Sequence, residues 1–352
     1  MQFSTCAGLN RPWAASPRAG AGPPTLRRVN RAVANAGGTA LVTLPPGTEP
    51  RAAPGAVLGD CNLLAGSSSW ADRSLVRDTD FYPSRSLNAA QRLAHYASRL
   101  PLAEVATTYR FPPTPEVTGR WAAAAPAGFT FDVRAWSLLC GAPTWPESLW
   151  PDLQGHVKPS RREGTKLYRQ HLPEPVIDEC WDRFDHALRP LVDAGCLGAV
   201  IVRFPSWFSP RQAALGELAA LTTRLPGVQI AVELSNERWF EGDACEQTLG
   251  ALEAMGLAFV CRDSPGPGRP VVAATADIAV VRLPGRRADA RVADGPWASV
   301  HTYRYSGPEL AQWAARVRDL AEGTAQVHVI FDNCWRANAV ENAATLLDLL
   351  GS

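Results

Sequence analysis

The chain has 352 residues, 46% hydrophobic and 20% charged, and its 35 Lys and Arg against 34 Asp and Glu leave a formal charge of +1. That length fits one large α/β barrel better than a small fold, and the near-neutral charge argues against a general nucleic-acid or membrane-surface binder. No apolar run approaches the roughly 18–20 residues a membrane helix needs, and the eight cysteines include no C-x-x-C pair on which a zinc ribbon or iron–sulfur cluster would rest.

Residues 1–58 are rich in Ala, Pro, Gly and Arg, with Arg11, Arg18, Arg27, Arg28, Arg31 and Arg51 against the single acid Glu49. Such a stretch buries little apolar surface, so a disordered extension is expected there and a folded domain over 59–352. An Arg-rich, acid-poor start also has the composition of a targeting peptide, but it lacks the apolar core of a secretory signal. With thiols set in apolar runs, a reducing cytoplasm is the expected location.

From Leu63 strands and helices alternate. Short apolar runs predict strands at 63–69, 103–109, 129–134, 198–203, 228–234, 257–262, 277–283 and 326–332. Apolar residues at helical spacing predict helices over 86–100, with Ser86 as its cap, and over 115–125, 176–193, 210–224, 244–255, 307–322 and 338–350. Strands alternating with helices make βαβ units, and eight of them fit a closed (β/α)₈ barrel, TIM-barrel-like. An open doubly wound sheet would want G-x-G-x-x-G after its first strand, where this chain has GSSSW. One connection breaks the rhythm: 135–175, a long loop after strand 3 with six prolines and no periodicity. Its segment 156–171 carries Lys158, Arg161, Arg162, Lys166 and Arg169 against Glu163, the charge pattern of a solvated loop or of a lid over an anion.

Three runs end alike, in Arg134, Arg203 and Arg282. A parallel barrel opens all its strand C-termini onto one face, where active sites lie. There the run ends would gather Ser67 to Trp70, Tyr109, Arg110, Arg134, Arg203, Glu233, Arg262, Asp263, Arg282, Asp332 and Asn333, with Glu104 deeper. Arginine forks suit phosphate or carboxylate, and acids suit hydroxyls. Simple rim salt bridges would use the same residues.

The motifs GSSSW (66–70), FYP (81–83), AEVATTYRFPPTP (103–115), LGAVIVRFPSWF (197–208), IAVELSNERWF (230–240), RDSPG (262–266), VVRLPG (280–285), YRYSGPELAQW (303–313) and FDNCWRANAVENA (331–343) follow one another in a familiar order. From Leu63 onward the chain resembles domain-of-unknown-function family 72 (DUF72), the YecE-like proteins. The resemblance implies a TIM barrel and leaves the reaction open. Trp70, Glu104, Tyr109, Glu233, Trp239, Asp263, Arg282 and Asn333 match its motifs. Ser235 and Asn236 replace the Arg-His after the strand-five glutamate, and Pro284 replaces the histidine of R-x-H-G. With these two changes both pocket histidines are gone, and Ala106, Arg110 and Arg203 replace the family's asparagine, second aromatic and glutamine.

The expected site is therefore an anionic or phosphorylated small-molecule pocket at the C-terminal face. Its ligand-binding residues would be Trp70, Glu104, Tyr109, Arg134, Arg203, Trp239, Arg282 and Asn333. Glu233 and Asp263 would serve as acid and base in a hydrolase or lyase. The alternative is a diverged barrel that binds without catalysis. No metal is expected, because no histidine lies at a strand end and no H-E-x-x-H occurs, although Glu233, Asp263 and Asp332 form a carboxylate set that would suit Mg²⁺. Nucleic-acid binding through 156–171 is the weaker third reading. The cofactor and oligomeric state are not encoded in any motif.

Overall fold

A computed structural model describes residues 51–158, 165–263, 270–286 and 302–351. Eight parallel strands form the barrel: β2 (Cys61–Ser67), β3 (Leu102–Val105), β4 (Thr130–Arg134), β5 (Leu197–Phe204), β6 (Ile230–Leu234), β7 (Ala258–Arg262), β8 (Ile278–Leu283) and β9 (Gln326–Phe331). They pair in chain order, and β9 returns to pair with β2 from Asn62↔Gln326 to Ser67↔Phe331, closing the sheet. The expected TIM-barrel-like fold is the observed one. A ninth strand, β1 (Ala56–Leu58), pairs antiparallel with the first residues of β2, Cys61 to Leu63.

The closed sheet explains why these strands read as unbroken apolar runs: both faces are covered. Inward-facing Leu102, Ala199, Ile201, Ala231, Ala258, Val260, Ile278, Val280 and Ile330 fill the interior as one cluster. The outward residues join a larger cluster beneath the helices. Gly66 marks the tightest inter-strand approach, since a Cβ there would lie 1.7 Å from the Leu102 carbonyl oxygen. That explains the glycine of GSSSW.

Helices α1 (Arg73–Arg77) and α2 (Ala89–Ala97) lie between β2 and β3, and α3 (Pro115–Ala124) lies between β3 and β4. Next come α4 (Glu174–Asp193), α5 (Gln212–Arg224), α6 (Ala244–Ala254), α7 (Gly307–Ala321) and α8 (Asn338–Gly351). Among the described residues no helix lies between β7 and β8, and none is long and apolar enough to cross a membrane.

Several boundaries differ from expectation for visible reasons. Helix α2 starts three residues later than predicted: Asn88 and Gln91 form a reciprocal capping box, while the Ser86 hydroxyl bonds Ser84 instead. Strand β3 stops at Val105, and Ala106–Tyr109 turns into a 3₁₀ segment. The turn is held by the Thr108 hydroxyl, which lies 2.6 Å from the carbonyls of both Val105 and Arg134. Of the stretch 1–58 read as loose, residues 1–50 lie outside the described residues. Residues 51–58 belong to the fold, through β1 and a bridge from Arg51 to Ala127.

The connection after β4 is not a structureless loop. Trp136 is fully buried edge-on to Trp150 at 5.5 Å, over buried Leu138, Leu139, Leu149, Leu153 and Leu167. Thr144 and Leu167 exchange backbone hydrogen bonds of 2.8 and 2.7 Å. Scattered aromatics and leucines carry this satellite core without any period, so no periodicity signals it.

Candidate functional site at the barrel mouth

Inward positions recur every second residue along a strand. Two residues beyond the apolar interior layer, each barrel strand therefore presents one more inward side chain at its C-terminal end. These are Ser68, Glu104, Arg134, Arg203, Glu233, Arg262, Arg282 and Asp332, one from each of β2 to β9 or the residue just after it. Seven are charged and one is a hydroxyl.

They form one connected network. Glu104, wholly buried, accepts a fork from Arg134 (Nε to Oε1 and Nη2 to Oε2, both 2.8 Å), a bond from Arg282 Nη1 at 2.7 Å and another from the Ser68 hydroxyl at 2.6 Å. Arg282, 1% exposed, is the hub: its Nη2 donates to Asp332 at 2.8 Å and its Nε lies 3.5 Å from Glu233. Arg134 also faces Asp332 at 3.8 Å. Glu233 completes the ring with Arg203 at 3.0 Å and Arg262 at 3.4 Å. The register places Arg203 opposite Glu233 and Arg262 opposite Arg282.

Burial alone would raise these carboxyl groups. The positive charges of Arg134 and Arg282 outweigh it and bring Glu104 down to about 2, and the same two arginines hold Asp332 well below its usual range. Glu233 is likewise pulled down by Arg203, Arg282 and Arg262 against its burial. All three are ionised near neutrality. Tyr109 is half-buried at the start of the next loop, close enough to feel Arg203 and Arg134; its burial pushes the phenol up to about 12.

Four guanidinium groups thus meet three carboxylates. The surplus positive charge falls on the solvent side, where the Arg203 and Arg262 side chains are 35% and 33% exposed. Neither makes an aligned hydrogen bond to a described residue. Glu233, though 1% exposed and ringed by three arginines, receives no aligned hydrogen bond on either oxygen.

Other expected site residues make contacts outside this network. Trp70 packs edge-on against Trp121 and Phe131, at 6.0 and 5.7 Å, in the layer between sheet and helices. Trp239 stacks on Phe208 and donates its indole N–H to the Phe208 carbonyl at 2.7 Å. Asn333 uses its amide nitrogen on the Tyr303 carbonyl and on Asn342. Asp263 belongs to a separate cluster, bound by Arg286 at 3.0 Å and by the Tyr305 hydroxyl at 2.9 Å. Glu233 and Asp263, read as an acid–base pair, are thus held by different partners.

Arg262, Asp332 and Ser68 were absent from the expected binding set, although AFVCR (258–262) ends as the other three runs do. Among the described residues no group of three or more His, Cys, Asp and Glu is placed to hold a metal ion. Arg161 and Arg162 lie outside the described residues. Elsewhere in that segment, Lys166 rests 3.1 Å above the Trp145 ring, and Arg169 faces Glu217 and Glu174 at 3.6 and 3.9 Å. Two surface hollows, of about 210 and 430 Å³, beside Pro146 and Val157 and beside Pro115 and Arg183, are lined by none of the eight strand-end residues.

The profile of the family described as "Protein of unknown function DUF72" matches residues 64–352. The UPF0759 protein YunF of Bacillus subtilis is 26% identical over 298 residues, covering 82% of this chain and 94% of that protein. Among solved structures, a DUF72 family protein from Enterococcus faecalis superposes with a TM-score of 0.64 at 21% identity, over 82% of this chain and 96% of its own. Another, from Thermotoga maritima, gives 0.62 at 21% identity, over 82% and 99%.

Proposed function

This chain belongs to the DUF72 family, and on that premise we propose that it binds a small anionic molecule, phosphorylated or carboxylated, at the C-terminal mouth of its barrel. The carrying observation is the surplus guanidinium charge on Arg203 and Arg262, which face solvent beside a buried carboxylate and make no aligned hydrogen bond to a described residue. Guanidinium forks with unused N–H groups favour oxyanions, which take them up in pairs.

Binding is favoured over a hydrolase or lyase built on Glu233 and Asp263. Both carboxylates are engaged by separate sets of cations, and Glu233 is held ionised, so it has no proton to donate near neutrality. A reducing cytoplasm suits the chain, since the described cysteines are free thiols and six of them are buried.

Titration calorimetry with inorganic phosphate tests the reading. Saturable binding that weakens with salt, and weakens at least tenfold in Arg203→Gln, is the expected result; no binding at millimolar phosphate would overturn it. Turnover of a bound ligand that Glu233→Gln abolishes without loss of affinity would reassign the site to catalysis.

A further inference from the structure

The mouth offers more than positive charge. Glu233 is a nearly fully buried carboxylate with both oxygens lacking an aligned donor, although Arg203, Arg262 and Arg282 stand 3.0, 3.4 and 3.5 Å away. Glu104, in the same ring, shows the contrast: both its oxygens are taken, by Arg134, Arg282 and Ser68. A buried acceptor without a donor is costly, and ionisation makes it a stronger acceptor. The three arginines neutralise the Glu233 charge but leave its lone pairs for another hydrogen-bond donor.

Geometry restricts that donor. Arg203 and Arg262 lie either side of Glu233, one on β5 and one on β7, with Glu233 on β6 between them. An oxyanion bridging the two forks therefore rests directly over the carboxylate. A carboxylate has no proton to give near neutrality, a phosphate monoester is largely deprotonated there, and either is repelled by Glu233. A neighbouring group on the same molecule has to supply the O–H.

Resting on the anion-binding reading above, we propose that the ligand is a hydroxylated acid, a sugar acid or sugar phosphate. Its charged group is held by Arg203 and Arg262, and an adjacent hydroxyl donates to Glu233. Both ligand types share the chemistry of an oxyanion one or two carbons from a hydroxyl. The carboxylate then acts as a selectivity element: it weakens the binding of bare anions by repulsion and favours those that bring a donor.

Matched probes test this on the full chain by calorimetry. Gluconate is compared with hexanoate, sorbitol 6-phosphate with hexyl phosphate, and sorbitol serves as the uncharged control. At least one hydroxylated acid should bind tenfold or more tightly than its hydroxyl-free partner, and sorbitol should not bind. The pair that shows the larger ratio tells carboxylate from phosphate. In Glu233→Gln the hydroxyl-free anions should bind more tightly and the ratio should fall at least fivefold. Equal affinity of matched probes for the wild type overturns this inference and leaves the anion reading standing. Failure of every anion overturns both. The wild-type comparison decides even where the variant fails to fold.

Discussion

Nη1 of Arg282 donates to Oε1 of Glu104 across 2.7 Å, joining β8 to β3 with neither side chain meeting solvent. The two residues lie 178 positions apart in the chain, on strands that are not neighbours in the barrel. The bond therefore crosses the barrel interior. Arg282 also answers Glu233 and Asp332, so its loss would strand buried negative charge on three sides. Removing one partner of a buried pair costs about 3–5 kcal/mol. Arg282→Met is expected to lower the unfolding free energy by at least that much in urea titration. A loss below about 1 kcal/mol would mean the network does not hold the mouth together.

The same network fixes the acid limb of stability. Glu104 sits at about 2 in the folded protein, below the 4.5 of a free glutamate, and Asp332 and Glu233 are also depressed. Groups lowered by folding stabilise the native state above their unfolded values, and that contribution disappears as pH falls through the folded values. The urea midpoint should thus stay level above about pH 5 and drop steadily from about pH 4.5 towards 2. Glu104→Gln is expected to be less stable at pH 7 yet to show a shallower acid limb. An acid limb as steep as the wild type's would remove Glu104 from the account.

How much of this was legible in the chain follows from period and reach. Short apolar runs between helical patterns revealed the strands, and a run that ends on a charge revealed which residues crown them. Arg134, Arg203, Glu233 and Arg282 were found that way. That Trp70 packs on Phe131 and Trp239 on Phe208 was not legible, because a strand-end aromatic looks the same in sequence whether it turns inward to a ligand or outward to a neighbouring ring. The partners of Asp263, Arg286 and Tyr305, lie 23 and 42 residues further on, and no local pattern points to them. The pairing of Asp132 with His328, 3.0 Å apart deep in the barrel, was hidden for the same reason.

That outward packing makes Trp70 a test of structure against function. With its ring against Trp121 and Phe131, Trp70→Ala opens a cavity worth about 3–5 kcal/mol. Trp70→Phe keeps part of the packing. Among folded molecules of Trp70→Phe, phosphate affinity is expected to stay within twofold of the wild type while the melting temperature falls. A tenfold loss of affinity without a stability change would return Trp70 to the site.

His328 and Asp132 predict a different defect. Both are fully buried; the imidazole Nδ1 faces both carboxylate oxygens at 3.0 Å, and Asp132 also takes the Ala199 N–H at 2.8 Å. His328→Leu would leave Asp132 with the single amide as its neighbour, at a loss of about 3–5 kcal/mol. The double variant His328→Leu, Asp132→Leu should recover part of that loss, because the buried carboxylate is gone and only the Ala199 N–H loses its acceptor. Urea titration of the two singles and the double measures the coupling; additive losses would show that the pair does not act as a unit.

Arg262 separates binding from folding most sharply. It is a third exposed and touches only Glu233 in the network, at 3.4 Å, while Arg203 and Arg282 lie against the same carboxylate. Taking away one of four cations facing three acids leaves the charges balanced, so Arg262→Met should change stability by less than about 1 kcal/mol. The same substitution removes one of the two forks available to an oxyanion. A charge-assisted hydrogen bond contributes about 1.5–3 kcal/mol, so phosphate should bind roughly 10- to 100-fold more weakly. The contrast with Arg282→Met is the point of the experiment, because burial, and not charge, distinguishes the two side chains. An Arg262→Met protein that unfolds as readily as Arg282→Met, or that holds phosphate as well as the wild type, would show that this arginine braces the rim and reads no ligand.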